Sequence, residues 1–115
     1  MTIKIVKEPI KESGLKELAE ERFGDLIKAV VDVKLKIMAI GGDLHADEEA
    51  LLLEDGSKQE DLWGINIYPF LNKNDWIEFD SIINIRPSQG NRSRDVVNEE
   101  IRKKIIEIVN NLIKE

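Results

Sequence analysis

With 115 residues, 42% of them hydrophobic, the chain has the length of one ordinary domain and is apolar enough to close a core without staples. The absence of cysteine excludes a disulfide framework, a thiolate nucleophile and a cysteine-built zinc site. A net charge of −6 disfavours nucleic acid as a partner, and no apolar run reaches the ~20 residues of a bilayer span; the expectation is a single cytoplasmic domain over residues 1–115, away from membranes.

Ser13 is placed to cap a helix over Glu12–Phe23, in which Leu15, Leu18 and Ala19 recur at helical spacing, and Gly24 is its stop. The period then changes. Across Ile27–Ile40 the residues Ile27, Ala29, Val31, Val33, Leu35, Ile37 and Ala39 occupy alternate positions, which predicts one half-buried strand, and Gly41-Gly42 suits a two-residue hairpin turn. That hairpin makes a second strand of 43–50 and sets Lys36 against Asp47 and Lys34 against Glu49. Glu48 then falls opposite Leu35 on the inner face, which means either a register error or a buried acid with a raised pKa. Asp47–Glu54 also has the composition of a short helix. The strand is preferred, because eight residues make a marginal helix and the hairpin explains both lysines.

Asp55-Gly56-Ser57 marks a turn, and Asp61–Tyr68 reads as a third strand with Trp63, Ile65 and Ile67 inward, ended by Pro69. Trp76–Arg86 alternates as the fourth, with Ile77, Phe79, Ile83 and Ile85 on the core side. A symmetric turn between these two sets Tyr68 beside Trp76, Asn66 beside Glu78 and Gly64 beside Asp80. Pro87–Arg94 is loop by composition. Asn98 caps a last helix that carries Ile101, Ile105, Ile108, Val109 and Leu112 on one stripe. The sum is an α+β fold: helix, four-stranded antiparallel meander, helix, with the helices on one face of the sheet.

Three blocks carry a likeness: Gly41-Gly-Asp-Leu-His-Ala-Asp-Glu-Glu-Ala-Leu-Leu-Leu-Glu-Asp-Gly-Ser57, Asp61-Leu-Trp-Gly-Ile-Asn-Ile-Tyr-Pro69 and Ile82-Ile-Asn-Ile-Arg-Pro-Ser-Gln-Gly-Asn-Arg-Ser-Arg94. Over most of its length the chain resembles a family of small prokaryotic proteins classed as a domain of unknown function. That resemblance implies no reaction, ligand or catalytic residue, so function has to be argued from the residues.

Three constellations offer chemistry. From Ser81 to Arg94 the only charges are Arg86, Arg92 and Arg94, in a glycine-containing loop before a helix, a setting suited to a phosphate-bearing small molecule unless Asp95 and Glu99 consume the arginines. On a strand His45 and Asp47 share a face that Asp80 can reach, a nitrogen and oxygen set for a divalent metal; ion pairs with Lys34 and Lys36 explain the acids equally. Leu51, Leu53 and Ile82 fall on the face that the two helices leave open, which points to a homodimer. The expected role is a binding or regulatory protein with an anion site at the arginine loop. A metal-assisted phosphate-ester hydrolase and a homo-oligomeric interaction module are the alternatives.

Overall fold

A computed structural model describes residues 3–115. In chain order its elements are β1 (Lys4–Val6), β2 (Ile10–Lys11), α1 (Glu12–Arg22), β3 (Ile27–Asp32), β4 (Ile37–Ile40), α2 (His45–Glu54), β5 (Leu62–Ile67), β6 (Ile77–Glu78), α3 (Glu99–Leu112) and β7 (Ile113–Lys114). The class is α+β with a five-stranded antiparallel sheet, in the order β1-β4-β3-β5-β6. A parallel pair of β2 and β7 ties Ile10 to Ile113 and Lys11 to Lys114.

The segment expected as one strand, Ile27–Ile40, is itself a hairpin, and Asp32 is the reason. Its Oδ1 accepts from the N–H groups of Lys34 (2.9 Å) and Leu35 (2.8 Å), while its Oδ2 accepts from the Ser57 hydroxyl at 2.6 Å. An aspartate that bonds its own backbone two and three residues on bends the chain whatever the hydrophobic alternation says. Lys36 completes the turn at φ 60°, and β4 returns along β3 with Asp32 opposite Ile37. The Gly41-Gly42 hairpin and the pairing of Lys34 and Lys36 with Glu49 and Asp47 are thereby overturned.

Residues 45–54 form a helix, not a strand. They contain no β-branched residue, and Asp47 and Glu48 lie in the first turn, where a carboxylate favours the helix dipole. What makes so short a helix stable is tertiary. Leu52 is fully buried with Val30, Ile37, Ala39 and Leu62 against the sheet, a burial that contributes roughly 1.5–3 kcal/mol. The opposite face carries the main core, where Leu15 and Ala19 of α1 and Ile105, Ile108, Val109 and Leu112 of α3 meet Ile27, Ala29, Val31, Trp63, Ile65 and Ile67. Residues of α1 and α3 both enter this main core, while α2 covers the face expected to be open, so the helices are not confined to one face of the sheet.

The fourth strand stops after two residues. Beyond it Ser81 caps a single turn over Ile82–Asn84, and the Asn84 side chain takes the place of the missing backbone partner. Its Oδ1 accepts from the Gly64 N–H at 2.8 Å and its Nδ2 donates to the Gly64 carbonyl at 2.9 Å. Gly64 thus faces Ser81, not Asp80; a Cβ there would lie 2.6 Å from the Ser81 Cβ. Tyr68 does pair with Trp76 and Asn66 with Glu78. At the helix ends, Asn98 Oδ1 accepts from Glu100 and Ile101 N–H groups, and Gly24 closes α1 at φ 93°. Ser13 is no cap, because β2 runs directly into α1 and Lys11 occupies the cap position.

Candidate functional site

The register of β3 and β5 places Lys28 beside Asn66, on the sheet face that α2 covers. The first residue of α2, His45, comes down at the same end, and the 81–83 turn and Arg94 close the far side. Between them is a cleft of about 220 Å³ lined by Lys28, Leu44, His45, Ala46, Ser81, Ile82, Ile83 and Arg94.

His45 Nε2 stands 2.7 Å from the Ile65 carbonyl oxygen. A carbonyl only accepts, so Nε2 carries the hydrogen and the neutral ring keeps Nδ1 as acceptor. Burial lowers the His45 pKa from its ordinary value; the Ile65 bond and Asp80 oppose this, and Lys28 and Arg94 reinforce it. The imidazole is neutral at pH 7. Lys28 has no carboxylate within salt-bridge distance among the described residues, and its ammonium lies 5.4 Å from the centre of the Phe23 ring. Arg94 gives its Nε to Asp80 Oδ1 at 2.6 Å, which leaves its terminal nitrogens for another acceptor. Its carbonyl accepts from Ser81 N–H and Asn84 Nδ2, both at 3.0 Å, so the loop is pinned to the turn that forms the cleft wall.

Beside the cleft, Glu78 Oε1 accepts from Asn66 Nδ2 at 2.9 Å and from the Tyr68 hydroxyl at 3.1 Å. Asn66 Oδ1 is buried without a partner among the described residues. One turn along α2 from His45, Glu48 is fully buried, and burial pushes its pKa up to about 9 against a bond from the Gly42 N–H at 2.9 Å. Both readings of the misfit are true. Residues 45–54 are helical and not a strand in that register, and the acid is buried with its pKa raised.

The arginine set of the loop separates. Arg86 lies 4.2 Å from the centre of the Trp63 ring and donates to the carbonyls of Gln59 and Leu62 and to Gln89 Oε1. That chain of contacts fastens the 86–91 loop to the start of β5, and Arg86 is not at the cleft. Arg92 is exposed, also away from the cleft, and makes no side-chain bond among the described residues. Arg94 alone of the three lines it. Asp95 pairs with Arg102 and takes none of the loop arginines.

The metal set does not assemble. On a helix Asp47 no longer shares a strand face with His45, His45 Nε2 is committed to Ile65, and Asp80 faces Arg94. Among the described residues no three histidine, aspartate or glutamate side chains come together as a metal-ligand group. Of the interface set, Leu51 is half-buried while Leu53 and Ile82 are 40% and 68% exposed. The open face that motivated it is covered by Leu52 and by the turn at Ile83.

Lys28, Ser81 and Asn66 are the residues that sequence reasoning missed. Lys28 and Asn66 become neighbours only through the β3–β5 pairing, which a hairpin set at Gly41-Gly42 forbids. Ser81 sits inside a stretch whose alternation continued past the true strand end.

Among the described residues no helix is long and apolar enough to cross a membrane. No curated protein and no solved structure matches the chain. A family model does match, over residues 4–112, and on that coverage the chain belongs to the family described as a protein of unknown function (DUF5674).

Proposed function

We propose that this protein binds a small phosphate- or carboxylate-bearing molecule in the cleft among Lys28, His45, Ser81 and Arg94, as a binding or regulatory protein. The carrying observation is that two cations converge on one cleft in a chain of net charge −6, and that Lys28 has no carboxylate partner among the described residues. Charge-assisted hydrogen bonds contribute roughly 1.5–3 kcal/mol each, so two of them correspond to dissociation constants from millimolar to tens of micromolar. The setting in this reading is the cytoplasm.

Calorimetric titration of inorganic phosphate tests it. Lys28→Ala and Arg94→Ala should each weaken binding roughly 10- to 150-fold, the loss of one such bond, while Arg92→Ala leaves it unchanged. Loss of binding in Arg92→Ala with retention in Lys28→Ala would move the site back to the loop and refute the cleft. Self-association is the second reading, favoured by the exposure of Leu53 and Ile82, and sedimentation of the wild type against Leu53→Lys tests it.

A further inference from the structure

We infer that the anion taken by this cleft carries an apolar body, a single ring or a short branched chain, joined to its charged head. The inference rests on the anion reading above and adds the ligand's class. Leu44 and Ile82 are 56% and 68% exposed, the highest values among the large apolar side chains of the described residues, and both line this cleft. Single exposed aliphatics need no explanation; two that line one cleft together with its cations do. Ala46 and Ile83 also line the cleft.

Local structure makes each exposure more telling. Leu44 holds the N-cap position of α2, where serine, threonine, aspartate or asparagine would bond the free N–H groups, and it makes no cap bond. Ile82 begins the turn capped by Ser81, a geometry that turns Ile83 in toward Gly64 and leaves Ile82 outside. The volume of about 220 Å³ falls below the ~300 Å³ at which pockets begin to enclose a drug-sized ligand. A nucleotide would therefore protrude, and the apolar part that fits is small.

Calorimetry with inorganic phosphate, phenyl phosphate and benzoate tests the inference. Phenyl phosphate should bind at least about tenfold tighter than phosphate, the gain from burying roughly two methylene equivalents. Benzoate as tight as phenyl phosphate supports the same body on a carboxylate head; benzoate weaker assigns the head to phosphate. Leu44→Ser and Ile82→Ser should each bring the phenyl phosphate to phosphate affinity ratio toward one. Leu44→Ser supplies a capping residue, so its fold is secure. Phosphate binding with no preference for phenyl phosphate in the wild type overturns this inference and leaves the anion reading standing. Binding of none of the probes overturns both. Dimers that Leu44→Ser dissociates, without any ligand preference, overturn it in favour of a second copy of the chain on this surface.

Discussion

Replacing Glu48 by glutamine should change stability in a way that turns from a loss at low pH to a gain at high pH. The carboxyl is fully buried and its pKa rises from 4.5 to about 9, with burial as the main cause, Lys28 and the Gly42 N–H opposing it and Asp47 reinforcing it. Below the unfolded value both states are protonated, and the residue makes no pH-dependent contribution. Between the two values the unfolded chain releases its proton while the folded chain holds it. Stability then falls by about 1.4 kcal/mol for each pH unit, reaching about 3 kcal/mol near pH 7, and levels off above about pH 9. Glutamine keeps the shape and can still accept from Gly42, but it leaves an N–H beside the position where Oε1 already lacks a partner, at a cost of ~1–3 kcal/mol. The net is near zero at neutral pH on the unfavourable side and a gain of about 2 kcal/mol on the favourable side, with a clear gain at about pH 9 and a loss at about pH 5. Urea denaturation of both proteins at the three pH values measures the difference, in which every other titrating group cancels. A stability difference that does not change with pH refutes the buried, protonated acid.

Asn84→Ala should cost roughly 2–4 kcal/mol in urea denaturation, since it strips both backbone groups of Gly64 of their partner; a loss under about 0.5 kcal/mol would deny that the side chain substitutes for a strand. Gly64→Ala should destabilise by about 2 kcal/mol through contact with Ser81, and a Ser81→Gly background should relieve most of it; additive effects in the double variant would contradict the close approach. By proton NMR His45 should titrate below its ordinary 6.5, so the unfolded chain takes up its proton first and stability falls as pH drops through that value. Added phosphate should raise the His45 midpoint, and a midpoint indifferent to phosphate would separate the imidazole from the ligand.

What was legible in the sequence was what local chemistry alone decides. Asn98 at the start of α3, its stripe through Leu112, the inward set Trp63, Ile65 and Ile67, and Gly24 at the end of α1 each follow from spacing or one hydrogen bond. The errors share another cause. Alternation in 27–40 and 76–86 is real, yet it persists through Asp32 and Ser81, whose side chains bend the backbone, and periodicity is blind to such bends. Residues 45–54 have strong local helix chemistry that lost to an imagined hairpin because the helix is short. Its stability comes from Leu52 on a sheet face that could not be drawn without the right pairing. The candidate site inherits these errors. Arg94 was found because charge is visible in sequence, whereas Lys28 and Ser81 reach it only through the true topology.

The most direct measurement for the anion cleft is a phosphate titration of the ¹⁵N-labelled protein followed by amide chemical shifts. The largest changes should fall together on Lys28, His45, Ala46, Ser81 and Ile83, saturating with a single dissociation constant, and the 86–92 loop should stay still. Changes centred on Arg86 and Arg92, or none that saturate, would contradict the account.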